Sequence, residues 1–158
     1  MDVSQIKIEQ LYNELKIELK ICKIGGLFVV LYKDEAIPEI IINRLRKDLP
    51  DQFLFSLYMD ERKVPFSIFF GQSLEQMGKQ SNIFHVIGIE KLPNKSIIDF
   101  IRYLQYGRER FKSKSYSIVF WVSTEFEKQL FHLAPDFHHW VFGTYDFTQI
   151  DTKIFDSY

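Results

Sequence analysis

The sequence predicts a three-layer α/β sandwich with a mainly parallel sheet of about five strands and one additional helix at the N-terminus. Short apolar runs, which suit strands covered on both faces, alternate along the chain with segments whose apolar side chains recur at helical spacing. Strands separated by helices form βαβ units, and such units give parallel sheets with right-handed crossovers. At 158 residues, the chain has the length of one domain.

The first part of the chain predicts two helices and two strands. Residues 4–20 carry apolar side chains on one helical face, which is typical of a peripheral amphipathic helix. The unbroken apolar run 27–32 predicts a central strand. Asp34 is expected to cap the next helix, and Pro38 is tolerated in its first turn. Residues 52–59 alternate in polarity and predict a second strand near an edge of the sheet.

In the middle of the chain, predicted helices and strands continue to alternate. We predict a helix at about 73–80, which follows an apolar cluster at 65–70, and a third strand in the apolar run 83–89. Ser96 is expected to cap a long helix that extends to about residue 112. The fourth strand is predicted at residues 116–122.

The last part of the chain completes the fold. Thr124 and Glu127 form a T-x-x-E capping box, which predicts a helix that stops before Ala134-Pro135. Residues 143–147 predict a short fifth strand. We therefore expect a single domain over residues 1–158, which divides into an N-terminal helix, a core and a tail at 1–22, 25–147 and 148–158.

Composition excludes several classes of protein. The chain has 20 Lys+Arg against 21 Asp+Glu, a net charge of −1, whereas nucleic-acid binders usually carry a large basic excess. The single cysteine, Cys22, cannot form an intramolecular disulfide, and no signal peptide opens the chain, so a cytoplasmic location is expected. The apolar runs are far shorter than the roughly 20 residues of a membrane helix, so no membrane partner is expected.

The ends of the predicted strands carry no recognisable catalytic site. A phosphate-binding loop needs glycines followed by Lys and Ser/Thr at a helix N-terminus, but Asp34 and Glu35 follow the first strand. After the third strand, Gly88 stands where a nucleotide hydrolase carries an acidic residue, and Glu90 is displaced by one position. We therefore predict no enzyme activity, no cofactor and no catalytic or metal-ligating residue.

Three groups of residues have alternative interpretations. Phe66, Phe69 and Phe70 belong to an apolar cluster that is typical of a core, although an exposed cluster of this kind would mark a partner site. The basic residues between Arg102 and Lys114 are favoured near a helix C-terminus by the helix dipole without any partner, although such a group would also suit a nucleic acid or an acidic partner. The adjacent His138 and His139 lack the i, i+4 spacing of a helical zinc site and are interpreted as packing residues.

Two sequence patterns resemble a known family. Residues 104–111, Leu-Gln-Tyr-Gly-Arg-Glu-Arg-Phe, with the following strand Val-Phe-Trp-Val at 119–122, are similar to an L-N-x-x-R-E-x-L helix that leads into an L-W-L strand. Residues 134–140, Ala-Pro-Asp-Phe-His-His-Trp, with Gly-Thr-Tyr-Asp-Phe at 143–147, are similar to an A-P-D-F-W-x-W…G-x-F-x-F ending. On these patterns the chain resembles the inactive STAND-like domains of bacterial multidomain proteins.

The resemblance implies a P-loop-NTPase-like sheet over residues 25–147 that lacks the phosphate-binding loop. It draws attention to Arg108, Glu109 and Asp136. We expect Arg108 to form a bidentate pair with Asp136 that locks the last helix onto the sheet.

The tryptophans of the two patterns, Trp121 and Trp140, are expected to be packing anchors rather than parts of a ligand cage. The sequence departs from the family pattern at two positions, where Gln105 replaces Asn and His138 replaces Trp. These departures affect the details of any surface shared with the family and not the expected architecture.

The function implied by the resemblance is that of a non-catalytic adaptor. Such a module binds a partner protein or a neighbouring domain in a bacterial signalling or antiviral defence assembly. The alternative is a degenerate sensor domain that binds a nucleotide or another small molecule without hydrolysing it. A concave site beyond the first, third and fourth strands would favour the alternative.

Overall fold

A computed structural model describes residues 3–22, 25–59, 66–77, 82–111 and 114–150. The helices within these ranges are α1 (Val3–Ile21), α2 (Ile37–Asp48), α3 (Phe66–Met77), α4 (Asn94–Tyr106), α5 (Thr124–Leu133) and α6 (Pro135–His139). The strands are β1 (Leu27–Leu31), β2 (Leu54–Tyr58), β3 (Ile83–Ile87), β4 (Ser117–Val122) and β5 (Gly143–Asp146). Two short 3₁₀ helices, Ile89–Lys91 and Arg108–Phe111, follow β3 and α4.

The five strands form one sheet in the order β2-β3-β4-β1-β5, and every neighbouring pair is parallel. The predicted α/β class with a parallel five-stranded sheet is confirmed. All six residues of the central strand β4 are buried, as its apolar sequence predicts. β2 lies at an edge, where its alternating sequence places it, and Phe53 just before it is 70% exposed.

Helices cover both faces of the sheet and create two hydrophobic cores. α1 and α2 cover one face, where Tyr12, Leu15 and Ile41 belong to the same buried cluster as Trp121. α3, α4, α5 and α6 cover the other face, and their apolar side chains pack around Phe120. These two cores make the protein a three-layer sandwich.

Three predicted helix starts are wrong because backbone geometry selects a different cap. Asp34 accepts a hydrogen bond from the Ala36 amide at 3.0 Å, but α2 begins after Ala36. α4 begins after Pro93, so Ser96 lies inside its first turn. The cap of α5 is Ser123, whose Oγ accepts from the Phe126 amide at 3.1 Å. Thr124 is therefore the first helical residue rather than the cap.

Two helices also differ in length from the prediction, and one short helix was not predicted. α3 starts at Phe66 and continues through Gly71, where an added Cβ would lie 2.9 Å from the Tyr103 hydroxyl of α4. Residues 78–80 lie outside the described residues. α4 stops at Tyr106 and continues as a 3₁₀ helix. The short helix α6 follows α5 almost directly, since Pro135 is well placed in a first turn.

Candidate functional site

Side chains bridge the carboxyl ends of β1, β4 and β3. In sheets of this class, ligands bind at these ends of the strands. The Tyr32 hydroxyl, directly after β1, donates a hydrogen bond to Glu90, which follows β3. β4 lies between those two strands, so the Tyr32 side chain reaches across its end, and the ring meets Trp121 edge-on at 6.3 Å between centroids. Gly88, at φ +86°, makes the left-handed turn that brings Glu90 to this position. This Tyr32–Glu90 bridge closes the ends of the central strands.

Two backbone amides at the start of α2, those of Ala36 and Ile37, already have hydrogen-bond partners. The Ile37 amide donates to the Asp34 carbonyl oxygen at 3.1 Å, and the Ala36 amide donates to the Asp34 carboxylate at 3.0 Å. These are the donors that hold a phosphate at a helix N-terminus in nucleotide-binding loops. A carboxylate takes that place here, so the start of α2 is unsuited to a second anion.

The two carboxylate oxygens of Glu90 differ in their hydrogen bonding. Burial raises the pKa of the Glu90 carboxyl above its ordinary value. Tyr32 donates to Oε1, whereas Oε2 is buried and has no hydrogen-bond partner among the described residues. The site can therefore offer one further acceptor, or one donor if the carboxyl is protonated.

Beneath the bridge lies a completely buried histidine that sequence reasoning missed. His85 of β3 accepts a hydrogen bond on Nδ1 from Trp121 Nε1 at 2.9 Å. The proton of the neutral ring therefore sits on Nε2, which has no partner among the residues described. Burial, with a smaller contribution from the charge of Arg46, lowers the pKa of His85 to about 3. The indication in the sequence was a lone histidine in an apolar strand beside a strand that carries tryptophan.

Trp121 is the anchor that the sequence predicts, and its surroundings explain why. Its indole is completely buried and packs near the rings of Tyr32 and Phe147. Its ring nitrogen is satisfied by His85, which is the usual requirement for a buried tryptophan.

A second candidate region surrounds the 3₁₀ helix Arg108–Phe111. Arg108 donates to the Gln105 carbonyl oxygen at 2.7 Å, and its guanidinium lies 5.9 Å from the centre of the Trp140 ring. Its contact with Asp136 is a single nitrogen–oxygen distance of 3.9 Å. The expected bidentate pair is therefore wrong, and an exposed contact of this length contributes little to stability.

Gln105, rather than Arg108, links α4 to the start of α6. Its Oε1 accepts from the backbone amides of Asp136 and Phe137 at 3.2 and 3.1 Å, and its Nε2 donates to the Asp136 carboxylate at 2.8 Å. These amides open α6 and would otherwise lack partners within the helix. Gln105 thus caps α6 from α4, a role that spacing could not reveal because the two residues are far apart in sequence.

We define the 3₁₀ surface as the side chains that project around this short helix: Tyr106, Arg108, Glu109, Arg110 and Trp140. Tyr106 is 84% exposed, and Glu109 and Arg110 are exposed as well. Arg110 lies 5.5 Å from the centre of the Tyr103 ring. Beside it is a groove of about 660 Å³ whose walls carry Glu75 and Lys114. The surface thus combines aromatic rings with charges of both signs, a composition found at protein–protein contacts.

The apolar cluster at residues 65–70 is only partly described. Phe70 is completely buried and belongs to the core between the sheet, α3 and α4. The side chains of Phe66 and Phe69 lie outside the described residues.

His138 of α6 is a packing residue, as predicted, whereas the neighbouring His139 is exposed, so the packing role predicted for His139 is wrong. His138 Nε2 lies 2.6 Å from Glu127 Oε1, and its ring meets Phe131 edge-on at 5.2 Å between centroids. His132 contacts the same phenylalanine ring. Within the described ranges, no group of three or more His, Cys, Asp or Glu side chains is placed to hold a metal ion. None of the helices in those ranges is long and apolar enough to cross a bilayer.

Replacing Gln105 with alanine should lower the free energy of unfolding by about 1 kcal/mol, since α6 loses its cap and Asp136 loses a donor. The measurement is urea unfolding followed by circular dichroism. Gln76→Ala, an exposed substitution on α3, is the matched control and should change the stability little. Equal effects in both variants would contradict the capping role.

Comparison with known proteins does not assign the chain to a family. No protein-family model matches the chain, and no curated protein matches it significantly. The protein is defined by its structure as a three-layer α/β sandwich with an all-parallel sheet.

Proposed function

We propose that this chain is a non-catalytic interaction module, which binds a partner protein or a neighbouring domain in a signalling or antiviral defence assembly of the bacterial cytoplasm. The observation that carries the proposal is the Tyr32–Glu90 bridge. It spans the strand ends where this class of sheet binds and converts ligands, and it engages a carboxylate that could otherwise act as a base. The amides at the start of α2 are also engaged, by Asp34.

The inactive STAND-like, P-loop-NTPase-like assignment is part of this proposal. It is supported by the position of β1 between β4 and β5, with helices on both faces. It is supported further by the contact between the two sequence patterns that carry the resemblance. Gln105 of the first pattern caps the helix that contains Asp136 of the second. The two patterns therefore describe one structural unit.

The 3₁₀ surface is the docking site that we favour for the partner. Arginine, tyrosine and tryptophan are the residues that contribute most to protein–protein affinity, and all three types meet here. Arg108 lies beside the Trp140 ring and Arg110 beside the Tyr103 ring, so each of these cations has an aromatic neighbour that restricts its position before a partner binds. Binding to ordered side chains costs less conformational entropy.

Site-specific crosslinking tests this docking site. A photoreactive amino acid at Tyr106 should capture a defined partner in the native cells, and Arg110→Glu in the same chain should abolish the crosslink by reversing a charge. A photoreactive residue at Lys128, exposed on α5, is the control position and should capture nothing that depends on Arg110. Crosslinks of equal yield at both positions, insensitive to Arg110→Glu, would remove the 3₁₀ surface as the docking site.

A second function is favoured by one specific observation. The buried Glu90 Oε2 has no partner among the described residues, and buried polar atoms are usually satisfied. A small molecule or nucleotide that supplies a donor at this point would make the domain a sensor without hydrolytic activity.

Thermal-shift titration with ATP, ADP and GTP, with and without magnesium, separates the two functions. The adaptor proposal expects an unchanged melting temperature at millimolar ligand. A ligand at 100 times its dissociation constant would add about 2.7 kcal/mol of stability. A magnesium-dependent shift that Glu90→Gln removes would contradict the adaptor proposal and support the sensor.

A further inference from the structure

α1 carries aliphatic side chains on two opposite faces, and within the part of the chain that the structure describes one of these faces is buried and the other is exposed. The buried face packs on the sheet through Ile8, Tyr12, Leu15 and Leu19. The opposite face carries four aliphatic side chains that are between 52% and 71% exposed: Val3, Ile6, Ile17 and Ile21. At 3.6 residues per turn, these four lie within a sector of about 60°, directly opposite the buried face. An aliphatic stripe on the outside of a helix is typical of an interface.

The spacing of the outer face is that of a two-helix contact. Successive positions along it are three or four residues apart, as in the a and d positions of a heptad: Val3, Ile6, Gln10, Asn13, Ile17 and Lys20. Aliphatic side chains at Val3, Ile6 and Ile17 flank a polar centre, and Lys20 closes the C-terminal end of the seam beside Ile21. Because the seam is similar when followed in either direction, it can pair with itself.

Antiparallel pairing with a second copy gives each layer of this seam a facing partner. If Gln10 faces Asn13 of the second copy, then Ile6 faces Ile17 of that copy, and the two-fold axis repeats each contact. The central layer then joins two amide side chains, which can donate and accept hydrogen bonds reciprocally. Val3 meets the stem of Lys20, with Ile21 beside it.

The flanking charges also select the antiparallel orientation. In this register, Lys7 lies beside Glu14 of the second copy at both ends of the contact, and both side chains are exposed. A parallel pair in the same heptad register would instead place Glu9 beside Glu14 of the other chain, which is repulsive. Glu9 is held in place by Arg44 through two hydrogen bonds of 2.7 Å, so it cannot easily turn away.

We propose that the protein forms a symmetric dimer through antiparallel pairing of the outer faces of α1. This inference does not depend on the proposed function, since α1 lies against the opposite face of the sheet from α4 and the 3₁₀ surface that follows it. α1 has 19 residues and a length of about 28 Å. One helix pair of that length buries less than the roughly 1,200 Å² of a standard interface, so the dimer should dissociate on dilution.

Sedimentation equilibrium of the full chain across a concentration series tests the dimer. Ile17→Glu should raise the dissociation constant at least about tenfold, because a charge would face Ile6 of the second copy. Lys128→Glu, an exposed change of charge on α5, is the control and should have no effect. Circular dichroism verifies that each variant is folded. A chain that remains monomeric at several hundred micromolar, or a dimer that Ile17→Glu leaves intact, would overturn the proposal.

Charge exchange tests the orientation separately. Lys7→Glu or Glu14→Lys alone should weaken the dimer roughly five- to tenfold, because each places like charges together twice. The double variant Lys7→Glu/Glu14→Lys should restore the affinity, since the opposite charges meet again. A stronger dimer in Glu14→Lys alone would indicate the parallel pair, in which the introduced lysine would face Glu9, and would overturn the antiparallel arrangement.

Discussion

Replacing Phe70 with alanine should lower the free energy of unfolding by about 3–5 kcal/mol, the usual range for a large ring removed from a core. Phe70 is completely buried, and its ring centre lies 5.1 Å from that of Phe100 and 6.2 Å from those of Phe111 and Phe120. The substitution removes dispersion contacts from all of these rings and leaves a cavity beside the sheet. A small domain has only about 5–15 kcal/mol of stability, so the loss is a large fraction of it.

Urea unfolding at neutral pH measures this loss, and Phe53→Ala is the matched control. Phe53 is 70% exposed just before β2, so its removal should cost less than about 1 kcal/mol. Similar costs for both phenylalanines would contradict the packing of α3 against α4. If Phe70 instead belonged to an exposed partner site, its replacement would change association and leave the stability intact.

The second large effect is a loss of stability in mild acid that originates in His85. In the unfolded chain this histidine takes up a proton near its ordinary pKa of 6.5, whereas in the folded protein its pKa is about 3. Between these values the unfolded state binds more protons, so stability falls as the pH falls, by up to about 1.4 kcal/mol per pH unit. The contribution of His85 is complete above about pH 7 and is lost progressively toward pH 3.

His85→Asn isolates this effect. Asparagine can still accept the hydrogen bond from Trp121 Nε1, but it does not titrate, so the unfolding free energy of the variant should depend less steeply on pH between about 6 and 4. His139→Asn removes an exposed histidine and should leave the slope unchanged. Parallel pH profiles for the wild-type protein and His85→Asn would show that the histidine is accessible to protons in the folded state.

Local patterns predicted the elements well where burial dominates the sequence. The apolar runs of β1, β3 and β4 identified central strands, because a strand covered on both faces has no position for a charged side chain. Helix ends were predicted less well. Ser123 and Thr124 are both good caps by composition, and only the backbone geometry after β4 decides between them.

The geometry of the candidate sites was harder to predict from the sequence than the helices and strands. Glu90 was recognised as an acidic residue at a strand end, but its partner Tyr32 lies 58 positions away in the chain. In the sequence Gln105 is only a departure from a family pattern, although it holds the start of α6. In each case the geometry depends on two residues that the fold brings together, and no periodicity relates their positions.

The sequence by itself determined the α/β class of this protein and the number and nature of its strands, because these follow from local polarity. Only the tertiary structure decided the strand order, the bridge from Tyr32 to Glu90 and the burial of His85 beside Trp121. The outer face of α1 depends on both the sequence and the tertiary structure. Its aliphatic spacing is visible in the sequence, but packing on the sheet decides which face remains exposed. Contacts between distant segments depend on the path that the loops give the chain. That path is determined by residues throughout the sequence and not by any one motif.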